Sequence, residues 1–280
     1  MERLESGPLF MPFFDRREIQ LALVDGLPVG FAHVGFGPDP SGSGLSSNIG
    51  HIAVVAVAPE TPEPVVVCQE LIQAGEAVLL QSGSHVIYGG SPRPSLPFYL
   101  GLYGGAESIG IFDSDWPVGK AFRLLGYGIH QKTVRFQREL TDYFPPFTPS
   151  MLRWKSKLQL DINDCPSAKN WWDALSLAQY DWIELTAIHK ETHLPVAQVR
   201  VRLDTQGNAA LTDLRVRPDF HRQGVGTYIL AETLRRMIAQ NNAACIEAHI
   251  AGNCSPLHGL LKILDWKVVE TGTIFIKKVS

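Results

Sequence analysis

The chain has 280 residues, 45% hydrophobic and 19% charged, with a net charge of −3 and a pI of about 6.3. That is enough for one large or two ordinary domains with substantial cores, and the slight acidity gives nucleic acid no basic surface to bind. No apolar run reaches the length of a membrane span, the first residues lack the layout of a secretion signal, and Cys68, Cys165, Cys245 and Cys254 show no CxxC spacing, so no membrane partner, zinc site or disulfide framework is expected and a reducing cytoplasm is the expected setting.

Within residues 16–36, two strands flank Asp25-Gly26, a hairpin signal. A Gly/Ser/Pro-rich loop spans 37–48, and a strand at 50–60 is stopped by Pro59. Residues 64–82 read as a helix and 84–90 as a short strand. Residues 91–110, with PFYLGLYGG, read as an aromatic and glycine-rich insertion. A short helix at 115–126 and a final strand pair at 127–140 follow. Residues 139–150, with YFPPFTPS, are proline-rich and non-periodic, as a linker is. The expected domains are 1–140 and 153–280, joined by 141–152.

The second half repeats this order. It reads as a strand at 158–162, a helix at 167–180 carrying Trp171 and Trp172, and a hairpin at 182–203 around Glu191-Thr192-His193. A strand at 209–216, a helix after Gly226, a strand at 245–250, a helix at 255–264 and closing strand residues complete it. Leu27-Pro28-Val29 parallels Leu194-Pro195-Val196, and Val57-Ala58-Pro59-Glu60 parallels Val216-Arg217-Pro218-Asp219. Leu125-Gly126-Tyr127 likewise parallels Leu264-Asp265-Trp266, so two copies of one fold are expected in tandem.

The chemistry concentrates between 209 and 240. Leu211, Leu214 and Val216 mark a strand that Pro218 ends, and Leu230, Leu234, Met237 and Ile238 recur at helical spacing. Between them runs His221-Arg222-Gln223-Gly224-Val225-Gly226-Thr227. Two glycines let the backbone curl closely, and the first turn of a helix carries unpaired N–H donors and a positive dipole end. The spot favours an anion such as a diphosphate, and Arg222 adds a full charge. A bare GxG turn is otherwise a plain strand-to-helix connection. Here the flanking strand, the Val-x-Pro stop and the helix favour the anion.

The run LRVRPDFHRQGVGTYIL resembles the acyl-CoA signature of the GCN5-related N-acetyltransferases, a strand ending L-x-V-x-P, then Q/R-x-x-G-x-G/A, then a helix. The likeness covers about residues 155–280. It implies an α/β (α+β) fold of two tandem domains, each a mixed, mostly antiparallel sheet flanked by helices. It also implies acetyl-CoA as the acyl donor. By that likeness Leu214, Arg215 and Val216 line the pantetheine arm, and Arg222, Gln223, Gly224, Val225, Gly226 and Thr227 hold the diphosphate. His221 stands where the family has Gln or Arg. Asn253, in NCSPLHGLLKILDW, matches an asparagine that contacts the pantetheine arm.

Counting from the shared proline, His221, Arg222 and Gln223 face Pro62, Glu63 and Pro64, while Gly224, Gly226 and Thr227 face Val65, Val67 and Cys68. Proline supplies no N–H, Glu63 brings negative charge, and valine lacks the freedom of glycine. The first copy resembles a degenerate acetyltransferase domain, as in two-domain members such as mycothiol synthase, and is not expected to bind CoA in the usual place. It is expected to pack on the second copy and wall the acceptor cleft, with Trp171, Trp172 and the PFYLGLYGG insertion as further walls.

Acyl transfer to an amine needs a neutral amine, a held oxyanion and a protonated leaving thiolate. The family holds the thioester oxygen with a strand N–H, which Leu214 or its neighbour would supply. Asp213 is the expected base, with Glu184 and His249 as alternatives. The family's acid is a tyrosine in the last helix; that position is Leu261 here, and His258, one turn earlier, is the expected substitute. Nothing near Cys254 lowers a thiol pKa, so it is not expected to be a nucleophile. The expected function is transfer of an acetyl group from acetyl-CoA to a primary amine of a small molecule or peptide. The alternatives are a non-catalytic acyl-CoA-binding regulator and, with less in its favour, a nucleotide-binding protein, which lacks the Lys-Ser/Thr of a P-loop.

Overall fold

The computed structural model describes residues 14–90, 110–146, 148–164, 166–177, 180–203, 207–240 and 242–279. Cys165 and all of the expected insertion but Gly110 lie outside them.

Among the described residues, a 3-10 turn at Arg16–Glu18 leads into the hairpin β1 (Ile19–Val24) and β2 (Leu27–Pro38). Its turn residues Asp25 and Gly26 both have positive φ, 50° and 79°. That geometry matches the twist of the strands it joins. β3 (Leu45–Val57) takes in the end of the segment read as a loop. Helix α1 (Pro64–Gln81), β4 (Val86–Gly89), β5 (Ile111–Phe112), α2 (Trp116–Leu124) and β6 (Gly128–Glu139) follow. The expected strand pair at 127–140 is one long strand, β6, whose partners lie elsewhere in the chain. The expected linker ends in a helix, α3 (Pro149–Lys157), which Pro149 starts at its first position, where a missing N–H costs nothing.

The second half runs β7 (Leu158–Asn163), α4 (Trp171–Leu177), β8 (Asp181–His189), β9 (Pro195–Leu203), β10 (Asn208–Val216), α5 (Val225–Gln240), β11 (Cys245–Ala251), α6 (Ser255–Ile263) and β12 (Lys267–Lys278). Strands of both halves form one sheet, in the order β1-β2-β3-β4-β12-β6-β11-β10-β9-β8-β7, with β5 paired to β12. Among the described residues only β3–β4 and β10–β11 are parallel. Parallel neighbours need a crossover, and α1 and α5 supply it at equivalent places in the two copies.

The last strand of each half is exchanged. β12 lies between β4 and β6, and β6 lies between β12 and β11. The cores follow the exchange. One gathers Phe136 of β6 with Trp154, Val225, Leu230, Leu261 and Trp266. The other gathers Phe275 of β12 with Ile52, Leu71, Ile72 and Phe122. Among the described residues no helix is long and apolar enough to cross a membrane.

Candidate functional site

The site begins where two parallel strands part. β10 follows β9 from Ala209 to Val216, with a bulge between Leu211 and Asp213. It follows β11 only over Asn208–Ala210, opposite Cys245–Glu247. Beyond that point β11 continues beside β6, and the two strands enclose an opening. The Arg217 N–H donates to the Val196 carbonyl at 2.8 Å. Polar groups of successive strand residues alternate in direction, so Leu214 and Val216 turn their N–H and C=O away from β9, into the opening. His221 reaches back, its Nε2 2.7 Å from the Val216 carbonyl oxygen.

A 3-10 turn, Pro218–Phe220, leads from β10 to the glycine loop. Arg222 (φ 57°) and Gly224 (φ 84°) take the left-handed conformation. The Gln223 side-chain amide donates to the Asp219 carbonyl at 2.7 Å. Its own carbonyl accepts from Trp154 Nε1 at 2.7 Å and Arg153 Nη2 at 3.3 Å. The first bond of α5 runs from the Tyr228 N–H to the Gly224 carbonyl, 2.9 Å. The N–H groups of Val225, Gly226 and Thr227 precede it, as at any helix start.

The two glycines serve different ends. A Cβ at Gly224 would stand 3.0 Å from Ser150 Oγ, in a conformation side chains rarely adopt. At Gly226 it would stand 2.9 Å from Leu260 Cδ1, so that glycine lets α5 approach α6. The arrangement fits an anion such as a diphosphate: backbone donors on a dipole end, no Cβ in the bend, and exposed Arg222 beside it.

The first copy lacks this cradle. α1 starts at Pro64, and Glu63 holds φ 48° ahead of it with no side-chain cap. The Glu63 carbonyl already accepts the N–H groups of Val66 and Val67. Burial pushes the Cys68 thiol, at the position of Thr227, up to about 11.

The ionisable groups near the opening fall into three environments. Asp213 pairs with Arg215 at 2.7 Å and is 31% exposed in its side chain. Glu184 is nearly buried and bound to Arg200 at 2.7 Å, and Arg200 also lies 3.8 Å from Asp173. Glu247, 1% exposed, is bound through Oε1 to Arg135 at 2.5 Å. Its Oε2 lies 3.8 Å from Nε2 of the buried His249, whose ring meets Phe112 edge-on. Sequence reasoning passed over Glu247. The alternation of Cys245, Glu247 and His249 against Ile246, Ala248 and Ile250 was the available signal.

His258, in α6, sets Nε2 3.1 Å from the Ala251 carbonyl and its ring on Phe136. Leu261 is fully buried in the core. Asn253 lies in the turn after β11 and lines a cavity of about 540 Å³ with Gly252 and Ile129–Lys132 of β6. Trp172 is buried, its backbone N–H donating to the Gly42 carbonyl of the first half at 3.1 Å, while Trp171 is partly exposed. Trp154, Arg153 and Ser150, all on α3, touch the glycine loop and were not anticipated.

Residues 141–264 match the model of the acetyltransferase (GNAT) family. No curated protein matches the chain. The fold is similar to that of a tandem GNAT protein from the clavulanic acid biosynthesis pathway (TM-score 0.66, 12% identity, 94% of this chain and 84% of that one). It is also similar to a GCN5-related N-acetyltransferase from Sphaerobacter thermophilus (TM-score 0.65, 12% identity, 94% and 81%). A third, from Kribbella flavida, is similar at TM-score 0.54 and 11% identity, over 93% and 90%. At such identities the likeness is one of fold.

Proposed function

We propose that the second half, which carries the match to the acetyltransferase (GNAT) family within a fold similar to that of a tandem GNAT protein, transfers an acetyl group from acetyl-CoA to a primary amine of a small molecule or peptide, by direct attack. The observation that carries this is the opening between β10 and β11 leading to the glycine loop. The loop donors from Gly224 to Thr227, with Arg222, would hold the diphosphate. Leu214 and Val216 would run beside the pantetheine arm, with Asn253 near it. Acetyl-CoA supplies the activated acyl group when bound.

The chain's own residues then have separable tasks. The N–H of Leu214 faces the opening and would stabilise negative charge developing there. Asp213 is the half-exposed carboxylate on the strand beside it. Glu184 and Glu247 are committed to Arg200 and Arg135 in part-buried pairs. Asp213 is also paired, but its partner Arg215 is exposed and Asp213 is the most exposed of the three carboxylates, so it is the one a solvent-borne ammonium would reach, directly or through water, to lose its proton. His258 donates its Nε2–H to the Ala251 carbonyl, so it would give a proton to the departing thiolate from Nδ1 only as the imidazolium, doubly protonated beforehand. A thiol pKa near 8.5 lets solvent share that task.

The first half, with Glu63 where the diphosphate would lie, keeps a packing role and walls the acceptor cleft together with Trp171 and Trp172. The proposed halves are 1–140 and 153–280, and the proposed setting is the cytoplasm. The test is CoA binding by calorimetry, followed by release of free thiol from acetyl-CoA with a panel of primary amines. Binding with turnover on at least one amine is expected. Binding with no turnover on any amine would favour the second reading, a non-catalytic acyl-CoA-binding regulator, for which the buried Leu261 at the family's tyrosine position speaks.

A further inference from the structure

The helix joining the halves lies against the glycine loop and bonds to one peptide of it. We propose that Trp154 is a positioning residue for the anion cradle: its indole N–H holds the Gln223 carbonyl and so aims the Gly224 N–H at the ligand. The inference rests on the cofactor reading above.

Trp154 is 4% exposed, and its ring meets Phe220 of the same loop edge-on at 5.8 Å between centroids. Its Nε1–H donates to the Gln223 carbonyl at 2.7 Å, a short and part-buried bond. A trans peptide is planar, with its C=O and N–H pointing opposite ways. Fixing the Gln223 carbonyl toward α3 therefore turns the Gly224 N–H away from α3, to the side where the N–H groups at the start of α5 gather.

This peptide needs a lock. Turning it over changes ψ of Gln223 and φ of Gly224, and glycine accepts φ of either sign with little penalty. The residue that makes the bend possible also makes the reversed peptide accessible. Reversed, the peptide would present a carbonyl oxygen to the diphosphate, a repulsive contact in place of a donor. Arg153 adds a weaker hold on the same oxygen at 3.3 Å and stacks over the Trp154 ring. Ser150 sits under Gly224 from the same helix. The segment between the halves thus works as part of the cofactor site as well as a tether.

Trp154→Phe keeps an aromatic ring and removes the donor, and adding Arg153→Met removes the second hold. CoA affinity is measured by calorimetry. Pantetheine, which ends where CoA carries its diphosphate, is titrated by NMR shifts. Partial unfolding would weaken both apparent affinities by the same factor, so it does not imitate a loss confined to CoA. The loss of one well-placed hydrogen bond predicts about tenfold weaker CoA binding for W154F. The double variant should be weaker still, with pantetheine affinity within about twofold of the unmodified protein. Equal losses for both ligands would make Trp154 a general strut and overturn the proposal. Unchanged CoA affinity would overturn it while the cofactor reading stands. Failure of the unmodified protein to bind CoA would overturn that reading and this one with it.

Discussion

Phe136 and Phe275 each sit in the core of the half to which their own strand does not belong. Phe136, on β6, is fully buried among residues of the second half. Phe275, on β12, stacks on Phe122 of the first half with ring centroids 5.2 Å apart. Truncating a buried phenylalanine costs about 3–5 kcal/mol, and here each truncation should loosen the distant half. Phe275→Ala is expected to raise amide exchange in α1, around Leu71 and Ile72, and Phe136→Ala in α5. Hydrogen-exchange mass spectrometry of the two variants checks this. Loss of protection confined to the mutated strand's own half in sequence would mean that the two cores are not coupled by the exchange.

The two glycines of the loop should respond differently to alanine. At Gly224 a side chain meets both positive φ and Ser150, and the left-handed conformation alone costs about 1–2 kcal/mol. CoA affinity should fall about tenfold or more. At Gly226 the obstacle is the flexible end of Leu260, and alanine suits a helix. That variant should stay within about 1 kcal/mol of the parent in stability and within a few-fold in affinity. Calorimetric titration of both variants decides, and a reversed order would point to Gly226 as the closer contact.

Asp213 and Glu247 separate chemistry from structure. Asp213→Asn should lower kcat by about 10²–10³, within the range of a lost general base, with the KM for acetyl-CoA nearly unchanged. Glu247→Gln leaves the part-buried Arg135 guanidinium without its countercharge, a change that costs about 1–3 kcal/mol. Its effect should appear in urea unfolding first. The pH profile of D213N should also lose its acidic limb, which no effect on packing would remove.

His51 and Glu18 pull the pH dependence of stability in opposite directions. Burial lowers the His51 pKa from 6.5 to about 4. The unfolded chain binds that proton first, so the contribution is complete above pH 6.5 and is lost as pH falls toward 4, about 3 kcal/mol in all. Burial lowers His33 similarly, and it lies 3.9 Å from Glu18. Burial raises Glu18 from 4.5 to about 7, so its contribution is complete below pH 4.5 and lost as pH rises through 7. Unfolding free energies measured across pH 4.5–8 should fall less toward acid in His51→Phe. They should fall less toward base in Glu18→Gln.

The parts of the molecule that were legible in the sequence rest on local chemistry. Asp25-Gly26 announces a turn because both positions must take positive φ, and Gly224 announces one for the same reason. Val216-Arg217-Pro218 stops β10 because proline cannot continue it. The exchange of β6 and β12 was not legible, because apolar alternation tells a strand which face to bury and not which neighbour to take. The Arg135–Glu247 pair joins residues 112 apart that meet only through that exchange. α3 was obscured by the prolines before it and by a buried stripe of only Met151 and Trp154. Its contact with the glycine loop exists only in three dimensions.

The crossed strands also set a timetable for synthesis. As the chain leaves the ribosome, β4 has no completed neighbour on its outer side until Lys267–Lys278 has been made. Phe122 and Ile72 meanwhile lack Phe275 above them. Contacts so distant along the chain close slowly, and open sheet edges invite wrong partners in the interval. The first half can be translated early, but it is finished only when the second half is.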